Sequence, residues 1–437
     1  MPRRAKKRDR ALYRSLPPGT HGLDREHVRR NQRARLQGAM VAAVARHGYA
    51  KTTIATVVDL AGVSRTTFYQ HFKSKKDCFL QTYDQIVDLG IERITLAYRS
   101  ADGPRERLRA AFAAFVEIIT SETDSARFVI IESLAAGDIA LEHRERAVQA
   151  FEQLLGQSFA QSQGEVSEVT LRAIVGGVQR ILYVRLREGR VQELGEQIDE
   201  LVDWTLSYQA PGVKPPPPPR VRKTTSPSVP RFEVPFPDLA HARSALSQRE
   251  RILLAVSSLV AQSGYQALTI PAITARAGVS NQTFYEHFDD KGDAFLTALN
   301  LAEDDALAAT ASGFAASSSV PDAVREALFA LLSHTATHPA FARFAFFESI
   351  TPGTVAQELA ERKLQTFIDL IAPGANRPAG VPSIAEQAIA GGVFSVIQRE
   401  IAYGRLARLP RLTASLAYIA LAPFLGAATA AAIAQRR

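Results

Sequence analysis

The sequence AGVSRTTFYQHFKSKKDCFL, at residues 61–80, decides the fold, and a close copy of it, AGVSNQTFYEHFDDKGDAFL, occupies residues 277–296. The match extends without a gap over residues 32–80 and 248–296, with about half of the positions identical. Further along the chain, ARFVIIES is matched by ARFAFFES, and AIVGGV by AIAGGV, at a similar offset. Such a long period indicates a duplicated whole unit, because solenoid repeats span only about 20–45 residues.

Each copy has the pattern of two short helices joined by a tight turn. Thr53 and Thr269 are expected to cap the first short helix, because a hydroxyl accepts an amide hydrogen that has no partner at a helix start. Gly62 and its counterpart in the second copy supply the turn conformation that other residues disfavour. Ser64 and Ser280 are expected to cap the second short helix. A cap, a helix, a glycine turn, a second cap and a second helix are typical of a helix-turn-helix.

The second short helix of each copy begins with polar side chains that suit the major groove of DNA. Arg can hold guanine there, and Asn or Gln can hold adenine, through paired hydrogen bonds. The aromatic and basic residues that follow can reach phosphate oxygens. The predicted DNA-binding residues are Thr53, Ser64, Arg65, Thr66, Thr67, Tyr69, His71 and Lys75 in the first copy, and Thr269, Ser280, Asn281, Gln282, Thr283, Tyr285, His287 and Lys291 in the second.

Some of these aromatic residues have a second interpretation. The two tyrosines and two histidines can instead pack with a satisfied polar tip; contact is favoured for the tyrosines, and the histidines are evenly divided. Ser74 and Asp290 are expected to cap the next helix, which places Lys75 and Lys291 in its first turn as phosphate contacts. The phenylalanines four residues apart are expected in the core: Phe68, Phe72, Phe284 and Phe288.

The rest of each copy also has helical periodicity, with apolar residues at three- and four-residue spacing and no sustained alternation of period two. We therefore expect an all-α fold of two tandem units, each a helix-turn-helix DNA-binding domain followed by a helical regulatory core. The expected divisions are a basic disordered arm at 1–23, the first helix-turn-helix domain at 24–92, the first core at 93–209, a proline-rich linker at 210–244, the second helix-turn-helix domain at 245–306 and the second core at 307–437.

Charge along the chain favours a polyanionic partner. The net charge is +8, yet residues 1–14 carry seven basic residues and one acid, and residues 210–231 carry five basic residues and no acid. The remaining residues sum to −3. A basic arm of this kind favours nucleic acid, although a solvated tail is the alternative.

The amino-acid composition argues against several other classes of protein. Hydrophobic residues make up 46% of the chain and charged residues 22%, which argues against wholesale disorder and against a membrane-embedded protein. Cys78 is the single cysteine, so an intramolecular disulfide and a cysteine-cluster metal site are excluded. No apolar signal segment begins the sequence, and we expect a cytoplasmic, nucleoid-associated protein. The uncharged stretch 414–434 is rich in alanine and interrupted by Pro423 and Gly426, which favours a buried or interface helix over a membrane span.

The repeated segments resemble the TetR family of bacterial transcription regulators. The family implies a three-helix DNA-binding domain, a helical regulatory core that responds to a small molecule, and a dimer interface formed by the last two long helices. This chain departs from the pattern in the fusion of two units, in Pro271 and in Gly292. The residues that carry the resemblance are Gly48-Tyr49, Thr52-Thr53-Ile54, Ala61-Gly62-Val63-Ser64, Thr67-Phe68-Tyr69, His71-Phe72 and Lys75, together with their counterparts in the second copy.

These features predict a ligand-responsive DNA-binding repressor with an unidentified small-molecule effector, reading two half-sites of a double-stranded operator. The two copies are expected to pair within one chain, through helices around Gly176-Gly177 and Trp204 and around Gly391-Gly392 and Leu416–Phe424. In an alternative, only one helix-turn-helix domain is competent and the other copy serves dimerisation or ligand binding. A helical enzyme or structural adaptor is a third hypothesis.

We expect no enzymatic activity, no cofactor and no metal. The sequence contains no phosphate-binding glycine loop, no His-Glu-x-x-His and no nucleophile elbow. Glu142-His143, and Glu348 near His338, are interpreted as solvated helix faces.

Overall fold

The computed structural model describes residues 24–136, 138–160, 166–209, 214–217, 219, 246–348, 355–371 and 378–436. Over these residues the chain forms nineteen α-helices, a few short 3-10 segments, one π-helical segment and no β-strand, which confirms the predicted all-α fold. The expected arm at 1–23 and most of the expected linker at 210–244 lie outside the described residues.

The first copy contains nine of these helices. They are α1 Arg25–Lys51, α2 Ile54–Ala61, α3 Arg65–His71, α4 Lys75–Arg99, α5 Pro104–Ser121, α6 Thr123–Ile130, α7 Asp138–Ala160, α8 Glu168–Arg187 and α9 Ile198–Leu206.

The second copy contains the other ten. They are α10 Gln248–Ser263, α11 Ile270–Ala277, α12 Asn281–His287, α13 Lys291–Ala315, α14 Val320–Thr337, α15 Pro339–Arg343, α16 Val355–Ile371, α17 Ala385–Ala402, α18 Thr413–Leu425 and α19 Ala427–Ala434. A π-helical turn at Phe344–Glu348 follows α15.

The described chain divides into two compact units. Met1–Phe151 and Leu182–Ile198 form the first, and Glu152–Ile181 and Asp199–Arg437 form the second. The second unit therefore holds the second copy together with the end of α7, most of α8 and nearly all of α9. The expected first core at 93–209 is divided between the units, because its last helices pack with helices of the second copy.

The helix-turn-helix domain of the first unit is built on a buried stripe of α1. Leu36, Met40 and Val44 are buried there at four-residue spacing, together with Ala43. The aromatic side chains of α3 and α4 complete this core. In the second unit the same arrangement is formed by Ile252, Val256, Val260, Ile273, Phe284, Phe288 and Phe295.

The helix that follows each helix-turn-helix is long. α4 and α13 both have 25 residues and run through the expected domain boundaries after residues 92 and 306. In each copy one continuous helix thus belongs to both the helix-turn-helix and the core.

Within the second unit, α8 and α17 cross at their glycine pairs. A Cβ atom on Gly176 would lie 2.9 Å from the carbonyl oxygen of Gly391, and one on Gly392 would lie 2.7 Å from that of Ala173. A Cβ on Gly177 would lie 2.4 Å from a ring carbon of Trp204. Larger residues would force these helices apart, so the glycines permit the close main-chain approach.

Two buried tyrosines of the second unit, Tyr208 just after α9 and Tyr418 in α18, bond to main-chain carbonyl groups. Tyr208 donates from its hydroxyl to the carbonyl oxygen of Ile419 at 3.2 Å, and Tyr418 donates to the carbonyl oxygen of Tyr208 at 2.8 Å. Burial raises the pKa of both hydroxyls, that of Tyr418 to about 12. Both therefore remain neutral donors at physiological pH.

The uncharged stretch 414–434 forms parts of α18 and α19, which are separated at Gly426 (φ 76°). Most of its residues are buried, as expected for a packed helix. Among the described residues, none of the helices combines the length and the apolar character needed to cross a bilayer.

Candidate nucleic-acid interface

The turn between α2 and α3 is formed as the sequence predicts. The hydroxyl of Thr53 accepts a hydrogen bond from the amide of Thr56 at 3.1 Å and caps α2. Gly62 ends that helix with φ 61° and ψ 41°, a left-handed conformation that a residue with a Cβ adopts at a cost. Thr269 caps α11 in the same way, through the amide of Ala272 at 3.3 Å, and Pro271 is accommodated in the first turn of that helix.

The start of each recognition helix, α3 and α12, is fixed by two hydroxyls. Ser64 accepts from the amide of Thr67 at 3.0 Å, and the two hydroxyls lie 2.9 Å apart. Ser280 and Thr283 repeat both contacts at 3.0 Å. These four predicted site residues therefore orient the helix start, and they lie on its accessible side.

One face of each recognition helix is anchored and the other is exposed. Tyr69 and Tyr285 are 51% and 58% exposed, and within the described residues neither hydroxyl has a hydrogen-bond partner. The exposed tyrosines are positioned to contact a ligand surface. All four predicted core residues are buried, which confirms that prediction: Phe68, Phe72, Phe284 and Phe288.

The side chains predicted to distinguish bases differ between the two helices in their partners as well as in their identity. Arg65 and Thr66 are exposed, and among the described residues they form no side-chain hydrogen bond. The hydroxyl of Thr274 instead donates to Oδ1 of Asn281 at 3.0 Å, and Gln282 donates to Glu286 at 3.2 Å. Among the described residues, the two side chains of α3 thus have no hydrogen-bond partner in the protein, whereas the two side chains of α12 already have one.

The two histidines also have different surroundings. His71 is partly buried, with Nε2 3.4 Å from Oε1 of Gln32. Burial lowers the pKa of His71, and the charges of Arg29 and Arg33 lower it further. His287 is exposed. A contact with solvent or a ligand is therefore available to His287 without rearrangement, whereas His71 already packs against α1.

The two lysines of the predicted site face the protein. Nζ of Lys75 donates to the carbonyl oxygen of Tyr49 at 3.0 Å and lies 4.3 Å from the centre of that ring. Lys291 donates to the carbonyl oxygen of Leu268 at 2.8 Å. Burial lowers the pKa of Lys75. Each ammonium group bonds the next helix to the chain before α2 or α11. The phosphate contact expected of these lysines stays a prediction.

The caps expected beside these lysines are present. Ser74 accepts from the amide of Asp77 at 3.1 Å. Asp290 accepts from the amides of Gly292 and Asp293 at 2.7 and 2.8 Å. The first turns of α4 and α13 are therefore well defined, and Gly292 is compensated by the aspartate cap.

A difference in charge between the two copies escaped the motif analysis. Residues 32–80 contain eight basic and two acidic residues, whereas residues 248–296 contain four basic and five acidic ones. Gln70 at the end of α3 is replaced by Glu286, and Lys73 by Asp289. Counting charges separately for each copy, rather than for the chain, would have revealed this difference.

A groove beside α3 was also missed. It has a volume of about 360 Å³ and lies between the start of α1 and the end of α3. Its lining brings together residues about 40 positions apart, so no local motif marks it. We call it the α1–α3 groove; it is lined by Arg25, Val28, Arg29, Gln32, Gln70 and His71.

Within the part of the chain that the structure describes, no three His, Cys, Asp or Glu side chains are grouped so as to hold a metal ion.

Two segments of the chain match one family model. Residues 39–82 and 252–298 both match the model described as bacterial regulatory proteins, tetR family. These segments cover α2, α3, α11 and α12 with the starts of the helices that follow.

Sequence and structure comparisons give more distant relatives. The HTH-type transcriptional activator FasR of Mycolicibacterium smegmatis is 34% identical over 82 residues, which are 19% of this chain and 37% of FasR. The chain thus spans little more than a third of that relative. The crystal structure of the transcriptional regulator FadR from Bacillus subtilis in complex with stearoyl-CoA aligns with 40% of this chain and 97% of its own, at 14% identity and a TM-score of 0.38. A TetR-like transcriptional regulator from Rhodococcus sp. RHA1 aligns with 41% of this chain and 96% of its own, at 22% identity and a TM-score of 0.32.

Proposed function

We propose that this chain, which carries two tandem units of the tetR family of bacterial regulatory proteins, regulates transcription by binding a double-stranded DNA operator. The observation that carries the proposal is the exposed face of α3. Its capped start presents Arg65 and Thr66 without protein partners, and Tyr69 follows on the same accessible side. A short, rigid helix with this polar face fits the major groove, where base edges offer paired hydrogen bonds.

The two copies pair within one chain and present two helix-turn-helix domains to two half-sites. The close crossing of α8 with α17 supports this pairing, as do the hydrogen bonds from Tyr208 to Ile419 and from Tyr418 to Tyr208. Tethering favours it further, because joining two binding partners in one chain gives an effective concentration of about millimolar. Light scattering of the chain on a duplex with two half-sites is the test. One chain on the duplex supports the pairing, and an obligate dimer of chains contradicts it.

The regulator acts as a cytoplasmic, nucleoid-associated repressor that occupies its promoter until a small-molecule effector binds a helical core, and it has no enzymatic role. FasR is named an activator, so the direction of regulation needs its own measurement. A reporter placed behind the selected operator should be silenced when the protein is expressed. Increased reporter output would contradict repression and leave DNA binding intact.

DNA binding itself is tested by selecting bound duplexes from a random pool and measuring their affinity by fluorescence anisotropy. The double variant Arg65→Ala/Tyr69→Ala should lose most of the sequence preference. Arg99→Ala, an exposed cation at the end of α4, is the control with one charge removed. No enriched duplex, or equal effects of both changes, would refute the proposal.

In a second candidate function, only the first helix-turn-helix domain reads DNA, and the second copy supplies pairing. The acidic balance of residues 248–296 favours it, because Glu286 and Asp289 repel phosphates. Tyr69→Ala and Tyr285→Ala separate the two candidates. Two competent domains predict comparable losses of affinity, whereas one competent domain predicts a loss with Tyr69→Ala alone.

A further inference from the structure

The α1–α3 groove carries positive charge and has no acidic lining residue. Arg25 and Arg29 are four residues apart on α1, and within the described residues neither has an ion pair or a side-chain hydrogen bond. Two like charges at this spacing slightly destabilise an isolated helix. The groove thus holds unbalanced cations at a small cost in stability.

The other polar groups of the groove are suited to an anion. Gln32 and Gln70 each have an amide group that donates hydrogen bonds, and the His71 ring also lines the groove, with Nε2 3.4 Å from Oε1 of Gln32. Guanidinium groups bind phosphate oxygens through two parallel hydrogen bonds. Because Gln70 and His71 belong to the recognition helix, an anion held here lies beside the predicted base-reading face.

We propose that the α1–α3 groove binds a phosphate of the DNA backbone and fixes the register of α3 on its half-site. The proposal rests on the DNA binding proposed above. A phosphate contact of this kind adds affinity for every sequence and orients the helix, while base contacts select the sequence.

The second helix-turn-helix domain differs from the first at this site. An acidic residue, Glu286, stands at the position aligned with Gln70. Glu286 is exposed and accepts the hydrogen bond from Gln282. The phosphate site is therefore a property of the first copy, which makes the first copy the stronger contributor to salt-dependent affinity.

The experiment measures affinity of the full chain for its selected duplex between 0.1 and 1 M salt. Arg25→Ala and Arg29→Ala should each lower the slope of log affinity against log salt by about 0.9, which corresponds to an affinity loss of about eightfold at 0.1 M relative to 1 M. The matched control is Arg30→Ala on the same helix, since Arg30 lies outside the groove beside the exposed Glu26. Thermal unfolding should be equal for all three variants.

Equal slopes for the wild type, Arg25→Ala and Arg29→Ala, with tight wild-type binding, would overturn this inference alone. Failure of the wild type to bind any duplex would overturn the proposed function. The remaining experiment uses free inorganic phosphate at constant ionic strength. If phosphate binds at millimolar concentration, and the two variants abolish this binding without changing DNA affinity, the groove is a site for free phosphate. That result would overturn the DNA assignment. A Gln70→Glu change should weaken binding to all duplexes to a similar degree, and selective weakening for one sequence would contradict a backbone contact.

Discussion

The guanidinium group of Arg180 donates two hydrogen bonds to the carboxylate of Glu361, at 2.7 and 2.5 Å, and joins α8 of the first copy to α16 of the second. Both side chains are mostly buried. At the aligned positions of the opposite copies stand Ser395 and Glu145, which cannot form the same pair. The contact between the two copies therefore has no symmetry-related counterpart.

Arg180→Ala should lower the free energy of unfolding by about 1–3 kcal/mol, because Glu361 would keep its burial and lose the two hydrogen bonds from Arg180. Arg190→Ala is the control, since Arg190 pairs with Glu188 at an exposed site where such pairs contribute little. Chemical denaturation of the full chain measures both. Equal effects of the two changes would show that the Arg180 pair adds no stability.

Gly177→Ala should destabilise the second unit, because the added methyl group would lie 2.4 Å from Trp204 and 2.6 Å from the carbonyl oxygen of Ala388. Overpacking of this kind costs about 1–3 kcal/mol. Gly90→Ala in α4 is the contrasting change, because its Cβ would meet no atom within 4 Å and alanine favours the helix by about 1 kcal/mol. Thermal unfolding should move in opposite directions, and a stabilising Gly177→Ala would refute the close crossing.

The pH dependence of stability should include a contribution from Glu303. This carboxyl is only 8% exposed, and burial raises its pKa to about 7, with Asp304 raising it further and Lys363 opposing the shift. The folded state then binds a proton that the unfolded state has released, so stability falls as pH rises from about 4.5 to 7 and is level above that range. Glu303→Gln should remove this fall and add about 1–3 kcal/mol at pH 8. The exposed Glu92→Gln serves as control, and a parallel pH profile for Glu303→Gln and wild type would contradict the assignment.

The selected operator should be an imperfect palindrome, because the recognition helices differ at Arg65 and Thr66 against Asn281 and Gln282. Arginine favours guanine and the amides favour adenine, with about 1–3 kcal/mol of discrimination for each good pair. Changing Arg65→Asn and Thr66→Gln together should shift selection from random duplexes towards a symmetric site. A perfect palindrome for the unmodified chain would mean that these side chains do not read bases.

Features that depend on neighbouring residues were predictable from the sequence. Thr53 and Ser64 cap helices through amides three residues away, and Gly62 forms its turn within the same segment. Phe68 and Phe72 are buried because their spacing places them on one helix face. Such features are encoded locally, and their repetition in the second copy made the pattern specific.

Features that depend on distant residues were not predictable in this way. The carbonyl oxygen that accepts the Lys75 hydrogen bond belongs to Tyr49, and the α1–α3 groove joins Arg25 to Gln70. A sequence pattern does not indicate which main-chain carbonyl group accepts a hydrogen bond. The shape of a groove depends on how two helices pack. The expected pairing of the two copies stays a prediction.

The continuity of α4 has a mechanical consequence. At about 1.5 Å per residue its 25 residues span about 37 Å, and its first turn is bonded to the helix-turn-helix through Lys75. A rotation of about 5° about the far end would displace the first turn by about 3 Å, close to the rise of about 3.4 Å per base pair of DNA. Such a small rotation would therefore shift α3 along the proposed DNA operator by almost a full base pair.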